Sequence, residues 1–269
     1  MALAGLAEPG AAGMMAGLLQ VQALVRHFSG VRAVDGVSLE VASGQCVALI
    51  GPNGAGKSTL FACIAGQQVP DAGQVLWQGQ PLRGLSPSQR LARGVCRSFQ
   101  VAQVFEALSV LANVQLALQV RAGRLSAWRG LAGWQSESAM DLLSQAGLSD
   151  LADQLAANLP YGAKKRLELA MVLAGRPGLL LLDEPAAGLA EQERGQLMRW
   201  VRQLADSGLA VLYTEHNMDA VAGVADEVLV LIEGRLAARG RFEVVAADPV
   251  VQARYLGRGA EAAGGRSHA

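Results

Sequence analysis

Aromatic residues are scarce: Phe, Trp and Tyr make up 4% of the 269 positions. A β-sandwich resting on large rings is therefore disfavoured, and an α/β interior packed with Ala, Leu and Val fits better. Neither sign of charge is in excess, since 23 Lys and Arg balance 23 Asp and Glu. No long-range field draws the chain to nucleic acid or an anionic membrane. That counts against a general DNA- or RNA-binder and leaves room for a local basic patch. Cysteine is limited to Cys46, Cys63 and Cys96, without a CxxC spacing; buried free thiols in a reducing compartment are expected. No apolar run approaches the ~18 residues of a membrane span. The opening MALAGLAEPGAAGMMAG lacks the positive segment of a secretory signal. A soluble cytoplasmic chain is expected, reaching a membrane only through a partner. Residues 1–17 and 258–269 are expected to be disordered tails.

What is present is an apolar, glycine-rich chain, 51% hydrophobic with 32 Gly, long enough for an ample core. LLQVQALVRHF (18–28) and VSLEV (37–41) alternate as short strands. CVALI (46–50), LLLLD (179–183) and LAVLYTE (209–215) are continuous apolar runs, as in strands buried on both faces. GQVLWQGQ (73–80) reads as a hairpin strand and EVLVLIEGRLAARG (227–240) as a closing hairpin. Ser86 and Pro87 have the chemistry of a helix N-cap and first helical position. Residues 105–157 turn helical, rich in Leu, Ala and Gln, with a looser middle at 121–138. No repeat is visible. The order predicts an α/β fold with a mainly parallel core sheet, an antiparallel β subdomain at the start and an inserted helical block.

GPNGAGKST (51–59) matches G-x-x-x-x-G-K-[ST], with an apolar strand before it and a helix after. Gly51, Gly54 and Gly56 permit backbone angles that turn successive N–H groups inward around phosphate oxygens. The helix adds the positive end of its dipole. Lys57 reaches the β/γ-phosphates and Ser58 offers a hydroxyl to Mg²⁺. LLLLDEP (179–185) ends a strand with two carboxylates. Taken alone the pair reads as a solvated helix entry. Beside a phosphate loop, Asp183 supports Mg²⁺ and Glu184 polarises the water that attacks the γ-phosphate.

With these two motifs the chain resembles the ATP-binding-cassette ATPases, a P-loop NTPase family, from about residue 18 to 257. The resemblance implies ATP and Mg²⁺ as ligands, with Asn53, Ala55 and Thr59 completing the phosphate loop. It implies a helical subdomain at about 101–165. Phe28 in LVRHFSG falls where the family stacks an aromatic on adenine. Gln100 in RSFQ resembles the glutamine that touches Mg²⁺ or the attacking water, and His216 in YTEHNM the histidine that contacts the γ-phosphate. Each alone has a bland reading: Phe28 as core, Gln100 as a polar loop residue, His216 as an ordinary hydrogen-bonded side chain. Five marks in order make the resemblance specific.

NLPYGAKKRLELA (158–170) occupies the place of the family's Leu-Ser-Gly-Gly-Gln signature, with Leu159 and Gly162 retained and Pro160, Tyr161 and Ala163 substituted. Gly162 would approach the nucleotide of the other subunit in trans. Pro160 supplies neither hydroxyl nor N–H, so one such bond is expected to be missing, at ~0.5–3 kcal/mol. Lys164, Lys165 and Arg166 oppose the helix dipole; they face an anion or form a solvated basic turn. GLAEQE (188–193) sits at the D-loop without the usual Asp. Further details, among them DEPAAGL and ADPVVQARYLG, are similar to the branched-chain amino-acid importer ATPases with a long helical insert. Urea-type importers and lipopolysaccharide-export ATPases are near relatives.

The resemblance implies a second ATPase subunit, identical or homologous, and two transmembrane permeases, with a substrate-binding protein beyond them and no nucleic acid. The chain would lie peripherally on the cytoplasmic face. Trp128 and Trp134 of the insert dock the permease or fill a core. Two rivals stand beside this reading: a soluble cassette protein acting on DNA or ribosomes, and a nucleotide-binding scaffold with little hydrolysis. The first lacks its usual second cassette or coiled coil, and the second must explain why Glu184 and His216 are present.

Overall fold

The structure, a computed structural model, describes residues 18–98, 103–122 and 136–256. In chain order, β1 (Leu19–Phe28) and β2 (Val31–Val41) form a hairpin, and β3 (Cys46–Ile50) leads into α1 (Lys57–Ala65). β4 (Ala72–Trp77), β5 (Gln80–Pro81), α2 (Pro87–Ala92) and β6 (Val95–Arg97) follow. α3 (Val110–Arg121), α4 (Ser136–Gln145) and α5 (Tyr161–Ala174) form the helical block. The chain then alternates through β7 (Leu179–Asp183), α6 (Glu191–Asp206) and β8 (Ala210–Thr214). It closes with β9 (Glu227–Ile232), β10 (Arg235–Gly240), α7 (Phe242–Ala246) and α8 (Pro249–Val251).

One sheet has the order β2-β1-β4-β5 and is antiparallel; the other runs β10-β9-β3-β8-β7-β6. In the second, only the β9–β10 pair is antiparallel. The apolar runs at 46–50, 179–183 and 210–214 are buried at every position, because both faces of this sheet are covered. Side chains alternate between the faces. Val47, Leu49, Leu179, Leu181 and Leu212 pack with α1 and the antiparallel sheet. Cys46, Ala48, Ile50, Leu180, Leu182 and Tyr213 pack with α5 and α6. A fully buried side chain such as Phe61 on the first side contributes about 1.5–3 kcal/mol of apolar burial.

Local chemistry sets the element ends. β2 begins at Val31, six residues ahead of the VSLEV stretch that sequence pattern marks. Ser29 and Gly30 both take positive φ, 43° and 88°, with Phe28 opposite Val31. That two-residue turn lets pairing resume at once. Ser86 caps α2, accepting the Gln89 N–H at 3.3 Å, while the Gln89 side chain accepts from the Ser86 N–H at 2.8 Å. Leu167, Ala170 and Ala174 of α5 are buried and Met171 is partly so, as their helical spacing predicts. The three cysteines are buried and free. Among the described residues no helix is long and apolar enough to cross a membrane. Trp128, Trp134 and the tails at 1–17 and 258–269 lie outside the described residues.

Candidate nucleotide site

The phosphate loop bridges β3 and α1, so its residues stand at the C-terminal edge of the parallel strands. Gly51, Gly54 and Gly56 take φ of 150°, 78° and 102°. A Cβ at Gly51 would run into the Leu231 carbonyl, and one at Gly56 into the Ala33 carbonyl. Only glycine serves both the conformation and the close packing. Gly56 is the N-cap of α1 and no side chain caps the helix, so its first N–H groups stay available to an anion. Ser58 and Asn53 are exposed there, and Ala55 is buried under the loop. Lys57 is buried, and its ammonium donates to the carbonyls of Gly51 at 2.6 Å and Pro52 at 3.1 Å. Burial pushes its pKa below the ordinary lysine range, while the carboxylates of Glu184 and Asp183 push back. A cation inside a cradle of backbone N–H groups, with carboxylates beside it, fits a polyphosphate and its counter-cation.

Asp183 ends β7 between two neighbours. Its Oδ2 accepts from Arg97 Nη2 at 2.6 Å and its Oδ1 from Thr214 Oγ1 at 2.8 Å. Glu184 leaves the strand with φ of 47°, and its backbone N–H donates to Thr214 Oγ1 at 2.9 Å. Its carboxylate lies 3.8 Å from Nδ1 of His216, which follows β8. Lys57 at the start of α1, Asp183 and Glu184 at the end of β7, and His216 after β8 thus stand at one edge of the parallel strands. Glu215, buried before His216, accepts the Ala186 N–H at 3.1 Å. Burial raises its pKa against the backbone N–H groups that lower it. Sequence reasoning passed over Arg97, Thr214 and Glu215. A hydroxyl ending an otherwise apolar strand, and an arginine three residues before Gln100, were the available signals.

Residues 34–187 match the family model described as ABC transporter. The chain belongs to that family. As an ABC transporter ATPase it has the P-loop NTPase fold and binds and hydrolyses ATP. It is 37% identical over 250 residues to the high-affinity branched-chain amino acid transport ATP-binding protein LivG of Escherichia coli K12, covering 89% of this chain and 98% of that one. It is 35% identical over 239 residues to the lipopolysaccharide export system ATP-binding protein LptB of the same organism, covering 89% and 97%. Among solved structures, the ADP conformation of an ATP-binding cassette of an ABC transporter matches with a TM-score of 0.80 at 30% identity. That match covers 90% of this chain and 99% of the other.

The remaining family marks of this ATPase are spread over other elements. Phe28, at the end of β1, is 40% exposed, which sets aside its reading as core; the Arg26 guanidinium lies 4.7 Å from its ring centroid. Gln100 lies outside the described residues. The 158–170 stretch starts α5 with Pro160 as N-cap and no side-chain cap. Gly162 is buried against α6, where a Cβ would strike the Glu193 carboxylate. Tyr161 stands beside Gly188, close enough that a Cβ there would meet its ring at 3.3 Å. The signature turn and the D-loop of one chain are thus interlocked.

The basic triplet does not form one patch. Lys164 pairs with Glu106 at 2.6 Å. Lys165 is buried, 3.8 Å from Glu168 and 5.9 Å from the Tyr161 ring centroid. Burial lowers its pKa, with Glu168 and Asp183 opposing. Arg166 donates to the Ala146 carbonyl at 3.2 Å. A solvated basic turn is therefore the wrong description. Three long side chains leave successive helix positions about 100° apart, so each finds a different neighbour.

Proposed function

We propose that this ATPase powers a membrane importer of branched-chain amino acids. It would sit on the cytoplasmic face against two permease subunits, served by a substrate-binding protein. The observation that carries the solute class is the 37% identity, across 98% of its length, to a relative named for branched-chain amino acid transport. A second ATPase subunit, identical or homologous, completes two head-to-tail nucleotide sites.

Within a site the residues divide the work. Lys57 exchanges the carbonyls of Gly51 and Pro52 for β- and γ-phosphate oxygens. Gly51, Asn53, Gly54, Ala55, Gly56 and Thr59 shape the cradle, and Phe28 offers its ring to adenine. Ser58, Asp183 and Gln100 would hold Mg²⁺, which would neutralise phosphate charge. Glu184 orients the attacking water and receives its proton. His216, next to Glu184, steadies the γ-phosphate. Gly162, at the head of α5, would approach the partner's nucleotide once the Glu193 side chain that covers it moves aside. Nucleotide-driven closure of the pair supplies the work, and hydrolysis resets it.

The test is uptake of radiolabelled leucine by cells in which the gene is deleted. Uptake falls on deletion, returns with the wild-type chain and does not return with Glu184→Gln. Unchanged leucine uptake with impaired lipopolysaccharide export would instead favour the second named relative.

A further inference from the structure

We propose that Thr214 is the positioning residue for both carboxylates of the hydrolytic site. The proposal rests on the roles given above to Asp183 and Glu184. Thr214 ends β8 directly opposite Asp183 in the parallel β7–β8 register. Its side chain is fully buried and its hydroxyl makes two bonds of opposite sense. An ionised carboxylate has no proton to give, so the hydroxyl donates to Asp183 Oδ1 at 2.8 Å. With its proton committed there, the oxygen accepts the Glu184 backbone N–H at 2.9 Å. One hydroxyl ties down two consecutive residues.

Both residues need the tie. Glu184 has a φ of 47°, which non-glycine residues adopt rarely and hold only when neighbours enforce it. Asp183 takes its second donor from the opposite side, Arg97 Nη2 on β6 at 2.6 Å. The two carboxylate oxygens thus receive one donor each, Oδ1 from β8 and Oδ2 from β6, and the plane of the group is set from both edges. Arg97 is itself braced by Gln67 and lies over the Phe61 ring, 5.9 Å from its centroid. Packing alone does not call for a threonine. Ala210, Val211, Leu212 and Tyr213 make the rest of β8 apolar and buried, and valine has the same shape. A buried hydroxyl is costly unless it is bonded, so its bonds account for its presence.

The test compares full-length wild type with Thr214→Val, Thr214→Ser and Glu184→Gln. It measures ATP hydrolysis and the binding of TNP-ATP with EDTA and with Mg²⁺. Thr214→Val lowers kcat about 10–100-fold, the usual loss when a partner of a metal-site ligand is removed. It also reduces the gain in TNP-ATP affinity that Mg²⁺ confers, and leaves binding in EDTA within twofold of wild type. Thr214→Ser restores both. Should the valine variant lack a folded circular dichroism spectrum, Thr214→Ala replaces it. Thr214→Val within twofold of wild type in kcat and in Mg²⁺ response overturns the proposal, as does Thr214→Ser no better than valine. Glu184→Gln hydrolysing at the wild-type rate overturns the site reading itself, and the proposal with it.

Discussion

Asp71 accepts the His27 N–H at 2.6 Å and Arg26 Nη1 at 2.9 Å, tying the end of β1 to the start of β4. The His27 bond, helped by the Arg26 charge, holds its pKa below the ordinary 3.8. A carboxylate with a depressed folded pKa adds stability above its unfolded value and loses it as pH falls through the folded one. Asp71→Asn should therefore melt below wild type at pH 7, and the gap should close as the pH drops below 3.8; thermal melts across pH check this. Residues of this kind are hard to read in sequence, because their partners lie 44 and 45 positions away. Asp183, Glu184 and the phosphate loop are legible because their chemistry is written in consecutive letters. Thr214 and Arg97 are not, since only the sheet brings them to Asp183 from 31 and 86 positions away.

Helix ends are decided by shorter stretches, and the two long helices α5 and α6 both begin without a side-chain cap. Pro160 before α5 and Ala190 before α6 have φ, ψ of −61°, 156° and −62°, 155°, with no side-chain bond. Ser86 and Ser109, which do cap their helices, hold nearly the same angles, −65°, 161° and −66°, 161°. Serine at either site can cap without moving the backbone. Ala190→Ser should gain about 1 kcal/mol and raise Tm by roughly 2–4 °C. Pro160→Ser gains a similar cap but loses about 0.4–1 kcal/mol of proline's restraint on the unfolded chain, so its Tm should stay nearly level. Differential scanning calorimetry of the two variants separates these outcomes. The strands at 46–50 and 179–183 were legible to the residue, because burial on both faces leaves an unbroken apolar run. The start of β2 and the separate directions of Lys164, Lys165 and Arg166 were not, because turn geometry and neighbouring helices decide them.

At the scale of the molecule, the order β10-β9-β3-β8-β7-β6 puts the strand that carries the phosphate loop between two strands from the far end of the chain. A chain ended at Leu209 removes both neighbours of β3. It should bind no TNP-ATP and show no cooperative melting transition, although every residue of the phosphate loop remains. The antiparallel pairs β1–β2 and β1–β4 need nothing beyond Trp77. During synthesis these two regions follow different clocks. The first hairpin can pair as it leaves the ribosome, whereas Cys46 must wait for Val211 and Val47 for Glu227. At ~5–20 residues per second, that interval is about ten to forty seconds. Through it the apolar run CVALI has neither of its strand partners, so this stretch is expected to bind a chaperone while the chain is being made.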